Sequence, residues 1–182
     1  MRTWILASLL ALWLASNASA DPQSACANPP KPPNVFPATV ARVVDGDTIR
    51  IQIKDGPAGL VRLIGIDTPE VHESAKLARD VRQSGRSREE IKVLGRLAWD
   101  FTRRYLDGKE VGLQYDVQTR DQYGRVLAYV WLRDGTLFNM LIVKDGYAQI
   151  LTVPPNVRYA ELFLACQREA RQAKRGLWGS LP

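Results

Sequence analysis

The sequence predicts an α+β fold, a small five-stranded β-barrel carrying about three helices. Three observations lead there. β-rich runs occur three times before residue 67 and twice after residue 110, while stretches with apolar residues at helical spacing lie between and after them. The 182 residues are 46% hydrophobic and show no repeat at a fixed period, which is the make-up of one packed domain. Asp45-Gly46, between two of the β-rich runs, is a strong hairpin signal.

Residues 1 to 20 carry Arg2, an apolar run from Trp4 to Ala15, and Ser16-Asn17-Ala18-Ser19-Ala20, an Ala-x-Ala cleavage pattern. That is the layout of a secretory signal peptide, and the apolar run is shorter than the roughly 20 residues that span a bilayer. Export to a periplasm or the medium is expected, with no stable membrane association after cleavage. Removing this segment takes only Arg2 from the formal charge of +6 and leaves +5. Residues 21 to 37 hold six of the eleven prolines and read as an extended, solvated tether. Cys26 lies in it, and Cys166 is the only other cysteine. Export favours a bridge between them, with two free thiols or an intermolecular bridge as the alternatives.

The globular part occupies residues 38 to 182. Thr39 to Val44 and Thr48 to Ile53 are the first two strands; the second alternates Ile49, Ile51 and Ile53 with Arg50, Gln52 and Lys54. Val61 to Ile66 is the third. Helices are expected from Arg88 to Leu106, with Ile91, Leu94, Ala98, Phe101 and Tyr105 on one face, from Leu137 to Lys144, and from Val157 to Lys174. Strands at Val111 to Tyr115 and Val126 to Leu132 complete the set. Three strands, a helix and two more strands is an order compatible with an OB-fold barrel.

The scarce residues restrict the chemistry. One histidine and two cysteines cannot complete a structural zinc site of four Cys or His ligands, and no Gly-x-Ser-x-Gly stretch supports a triad on His72. Any metal should therefore be hard and held by oxygen. The positive charge fits an anionic partner such as nucleic acid, and equally fits many basic secreted proteins. Val61-Arg62-Leu63-Ile64-Gly65-Ile66-Asp67-Thr68-Pro69-Glu70 stands out, because a cation inside an apolar strand requires an anionic partner. Pro69 ends the ladder and leaves Asp67 and Glu70 at the strand's mouth. The Asp45-Gly46-Asp47-Thr48 turn belongs to the preceding hairpin, so Asp47 can meet Asp67 at one end of the barrel. Alone, each of these residues has an ordinary reading as a turn, cap or solvated charge.

From Ala38 to Trp178 the chain resembles the staphylococcal nuclease (thermonuclease) family. The resemblance rests on Val44-Asp45-Gly46-Asp47-Thr48, Arg62-Leu63, Asp67-Thr68-Pro69-Glu70, Asp121-Gln122-Tyr123-Gly124-Arg125 with Leu127-Ala128-Tyr129, Pro155-Asn156, and Gly176-Leu177-Trp178. It implies a monomeric SNase-like endonuclease that cuts DNA and RNA at the 5′ P–O bond and leaves 3′-phosphates. It also implies Ca2+ bound by Asp47, Asp67 and the Thr68 carbonyl, with Asp45 behind them, Glu70 as general base, and Arg62 and Arg125 on the phosphate. Leu151 and Val153 stand where the family type has tyrosines. The stretch from Val71 to Glu90 is longer than the usual loop, and its arginines are read as solvated surface, with substrate steering as the alternative. A barrel that binds nucleic acid or protein without cutting is the competing function. A carbohydrate-binding barrel lacks an aromatic platform near the cleft.

Overall fold

The structure, a computed structural model, describes residues 25 to 54 and 56 to 179. The signal-type segment and the first residues of the tether lie outside them. Five strands close into a barrel: β1 (Phe36–Asp45), β2 (Thr48–Gln52), β3 (Ala58–Leu63), β5 (Glu110–Gln114) and β6 (Val126–Trp131), in the order β1-β2-β3-β6-β5. All neighbours are antiparallel except β3 and β6, whose parallel pairing sets Arg62 beside Leu127. Val40, Ile49, Ile51, Val61, Leu63, Leu113 and Val130 fill the interior. Each such side chain contributes about 1.5 to 3 kcal/mol through burial. In β1 the alternation slips after Val40 and again after Val43, where register shifts turn the strand toward the Asp45–Thr48 turn.

The predicted third strand, Val61 to Ile66, is two strands. The break falls at Ile64, after which Gly65 takes φ +81° and the chain leaves the barrel as β4 (Gly65–Asp67). A Cβ on Gly65 would stand 2.6 Å from the Phe163 ring, so both the turn and the packing need glycine here. β4 pairs with β7 (Gln149–Leu151), a short strand that sequence patterning did not indicate. Asn139, fully buried, fixes the bend: its Nδ2 donates to the Ile64 carbonyl, and its Oδ1 accepts from Val130 N.

Among the described residues there are four α-helices rather than about three. The additional one is α1 (Ala75–Ser84), inside the stretch expected to be charged surface; Ser74 caps it by accepting from Leu77 N, and Leu77 is buried. α2 (Arg88–Leu106) opens with a capping box between Ser87 and Glu90 and buries Ile91, Leu94, Ala98 and Phe101. α3 (Phe138–Lys144) and α4 (Ala160–Gln172) pack on each other, and a short 3-10 helix, Gly176–Trp178, buries Leu177. None of the helices among the described residues is long and apolar enough to cross a membrane.

The proline stretch is largely exposed, as expected, but it is anchored at both ends. Cys26 is buried and disulfide-bonded to Cys166 on α4, Asn28 exchanges hydrogen bonds with Gly135 and Leu137, and Phe36 and Pro37 already belong to β1. An α-helical face gives α4 its Cys166, and the bridge makes residues 26 to 35 part of the domain's surface.

α2 also sets the height of the loop after β4. Gly95 lies so close that an added Cβ would meet the Glu70 carbonyl oxygen at 2.7 Å and the Pro69 carbonyl oxygen at 2.8 Å. Alanine in a helix is ordinarily worth about 1 kcal/mol over glycine. In Gly95→Ala that gain should be reversed to a net loss of about 1 to 3 kcal/mol, because backbone atoms must move. Urea unfolding measures it, and a stabilised variant would contradict the packing.

Candidate active site

The Asp45–Thr48 turn, the β3–β4 bend and the loop after β4 meet at one end of the barrel. The turn is held from below by α2, whose Thr102 hydroxyl donates to the Gly46 carbonyl at 2.7 Å. Gly46 in turn leaves room for Thr68, since a Cβ there would stand 2.8 Å from the threonine side chain. The backbone N of Thr68 donates to Asp47 Oδ2 at 3.1 Å, and the Thr48 hydroxyl donates to Asp47 Oδ1 at 2.9 Å. Asp47, only 7% exposed, is thus oriented by both neighbouring loops.

Arg62 answers the question its sequence position raised. One guanidinium nitrogen, Nη2, lies 3.1 Å from Asp47 Oδ2 and 3.0 Å from Asp67 Oδ1. The other, Nη1, donates to the carbonyls of Leu63 and Ile66 at 2.9 and 2.8 Å. A planar fork of this kind satisfies four acceptors with one charge. Asp47 and Asp67 are therefore brought together, on either side of a single cation.

A second cation, Lys76 of α1, enters the same cluster. Its Nζ donates to the Thr68 carbonyl at 2.5 Å and approaches Asp67 Oδ2 at 3.3 Å, Glu70 Oε1 at 3.5 Å and Asp80 Oδ2 at 3.3 Å. Burial disfavours its charge, but Asp67, Asp80, Glu70 and Asp47 outweigh that and raise its pKa. Burial likewise pushes the Asp67 carboxyl up, Asp47 adding to the push while Lys76 and Arg62 oppose it. Lys76 was not singled out in the sequence. The available signal was its spacing to Asp80 behind a Ser74 cap, which places both on one helix face.

Asp45 sits at the edge of this cluster, accepting from Gly46 N at 2.8 Å. Arg125 stands apart from the carboxylates. Its Nε donates to Asp121 Oδ2 at 2.7 Å, and its guanidinium lies over the Tyr123 ring at 5.5 Å. Although burial works the other way, the hydrogen bonds from Arg125 hold the Asp121 carboxyl below its ordinary range. The Asp121 turn is tied down by Asn156, which exchanges hydrogen bonds with the Gln118 backbone. Arg125 and Arg62 share the wall of one cleft of about 400 Å³, together with Tyr123, Leu151 and Val153. A larger cleft, about 890 Å³, opens on the other side of Asp67 along α1.

The donors available for a metal are all oxygen: the carboxylates of Asp47 and Asp67 and the Thr68 carbonyl. The Thr68 hydroxyl is buried beside them with no hydrogen-bond partner among the described residues. Among the described residues no three His, Cys, Asp or Glu side chains form a metal-binding group, so any such seat needs the backbone carbonyl as a member. That carbonyl and Asp67 already hold an ammonium group, which shows the position to be cation-seeking. This donor set fits a hard divalent ion.

Asp45 offers a pH test of the cluster. Burial first, then the nearby Asp47 charge, raises its carboxyl pKa to about 6. The folded state then binds this proton more tightly than the unfolded chain, so the group opposes folding as pH rises from about 4 to about 6, and fully above that. In metal-free buffer, Asp45→Asn should be more stable than the wild type at neutral pH and gain nothing near pH 4. Urea midpoints at the two pH values check this; an equal difference at both would contradict it.

The chain is similar to known proteins over most of its length. The family model described as "Staphylococcal nuclease homologue" matches residues 60–180. The thermonuclease of Staphylococcus intermedius is 40% identical over 139 residues, covering 76% of this chain and 74% of that one. The thermonuclease of Staphylococcus hyicus is 38% identical over 141 residues, covering 78% and 75%. The endonuclease YncB of Bacillus subtilis is 30% identical over 142 residues, covering 77% of this chain and 60% of that one. With a closed mixed barrel, helices on its outside and these matches over most of its length, the chain belongs to the staphylococcal nuclease family.

Proposed function

We propose that the protein is an exported, calcium-dependent endonuclease that hydrolyses phosphodiester bonds of DNA and RNA at the 5′ P–O bond and leaves 3′-phosphates. The observation that carries this reading is Arg62, which gathers Asp47 and Asp67 on one side and lines a cleft with Arg125 on the other. Export is supported by the layout of residues 1 to 20 and by the Cys26–Cys166 bridge.

A phosphodiester is an anion, and its transition state gathers charge on the equatorial oxygens; fixed guanidinium groups stabilise that charge with little reorganisation. Arg62 and Arg125 take this part. The carbonyls of Leu63 and Ile66 hold Arg62 in place; its Nη2 must exchange part of its contact with Asp47 and Asp67 for the phosphate, as Arg125 must exchange part of its contact with Asp121. Glu70 accepts a proton from the attacking water; the water oxygen bonds to phosphorus as the bond to the 5′ oxygen breaks, and the leaving alkoxide takes a proton from solvent water to become a hydroxyl. Asp47, Asp67 and the Thr68 carbonyl would hold a calcium ion, with Asp45 behind them. When bound, calcium adds a divalent positive charge against the phosphate oxygens. Leu151 and Val153 give the cleft an aliphatic stretch, and exposed Tyr123 is the aromatic ring left in its wall for a base to stack on.

Incubation with denatured DNA, with calcium and then with chelator, alongside Glu70→Gln, tests the mechanism. Cutting should require calcium and should fall at least 10²-fold or so in the variant; chelator-resistant cutting, or full activity of Glu70→Gln, refutes it. The two arginines should separate in a second experiment. Arg62→Ala should lose activity and about 3 to 5 kcal/mol of stability, because it strands the buried Asp47. Arg125→Ala should lose about 10²-fold in kcat or more with little change in urea midpoint, since its partner Asp121 is near the surface. Equal losses of stability in both would place Arg125 in a structural role.

A further inference from the structure

Lys76 is unused by the mechanism above, yet it occupies its centre. The oxygen atoms around Nζ include the Thr68 carbonyl and an Asp67 carboxylate oxygen, two of the groups assigned to calcium, together with the carboxylate assigned as base. The contact is built into the fold: Ser74 fixes the start of α1, buried Leu77 docks the helix, and Asp80 one turn further on steadies the ammonium from its own helix. Like charges cannot share one set of ligands in a partly buried site, so an ammonium on these oxygens and a divalent ion on the same oxygens exclude each other.

We propose that Lys76 is a tethered competitor of the divalent cation, filling the acidic seat in the metal-free protein and leaving it when the ion binds. The inference rests on the calcium reading of the site. Lys76 compensates Asp67 and Glu70 while the metal is away, and thereby keeps the site assembled. It also sets the metal concentration at which the site loads. Once displaced, the ammonium has somewhere to go: the cleft of about 890 Å³ borders both Lys76 and Asp67, and Asp80, on the same helix, lines that cleft as a partner. A residue that only braced α1 would affect stability and leave calcium affinity alone.

The test is a calorimetric calcium titration of the wild type and of Lys76→Met, which keeps most of the apolar stem and removes the charge. Lys76→Met should bind calcium about tenfold more tightly or better, and equal affinities would overturn the proposal. The wild type supplies a second measurement that does not depend on the variant folding. The rate at which acetic anhydride modifies Lys76, read by mass spectrometry against Lys54 as internal reference, should rise several-fold on calcium saturation; an unchanged or slower rate would overturn the proposal. If neither protein binds calcium, the calcium reading itself fails and the competition falls with it, an outcome distinct from equal binding by both.

Discussion

Much of this molecule hangs on the way Arg62 spends its charge. Nη1 closes the bend between β3 and β4 by holding two carbonyls, and Nη2 pulls the hairpin turn and the strand exit onto one point through Asp47 and Asp67. A cation and its acids can be kept in so sheltered a place only if each is fully partnered, because a single uncompensated charge there costs several kcal/mol. The supporting contacts follow from that demand. Thr102 carries the Gly46 carbonyl, Asn139 carries the Ile64 carbonyl, and the Thr68 and Thr48 donors orient Asp47. Fold and site are stabilised by the same bonds.

The barrel was legible in the sequence because its signals are local. Alternation marked β2, Asp45-Gly46 marked the hairpin, and the helical spacing of Ile91, Leu94 and Ala98 marked α2. Arg62 was legible as an anomaly: an arginine in an apolar run predicts a partner even before the partner is known. What escaped was set by tertiary contacts. The break at Ile64 comes from Gly65 turning under Phe163 and from Asn139 reaching across; the glycine alone stands in the pattern of residues 61 to 66, and its two partners lie about 100 and about 75 residues further on. β7 has three residues and exists because β4 is there to pair with.

The stretch from Val71 to Glu90 misled for a different reason. Its composition is that of solvated surface, and most of its arginines fit that description, but α1 needs only Leu77 buried to dock. One apolar anchor in ten residues falls below what periodicity can detect. The same thin anchor delivers Lys76 to the carboxylates. At the opposite wall, Leu151 and Val153 were visible as departures, and the structure places them with Tyr123 and both arginines in one cleft.

The parallel seam between β3 and β6 has a bearing on when this chain becomes dangerous to nucleic acid. Arg62 lies in β3 and Arg125 directly precedes β6, strands that join only across that seam, with α1, α2 and β5 between them in the chain. Long-range closures of this sort are late events in folding. A chain held unfolded, or arrested with its first hairpin made, has neither the paired guanidinium groups nor the cleft they share. The cleft and its paired guanidinium groups are therefore products of the closed barrel and of no smaller part of it.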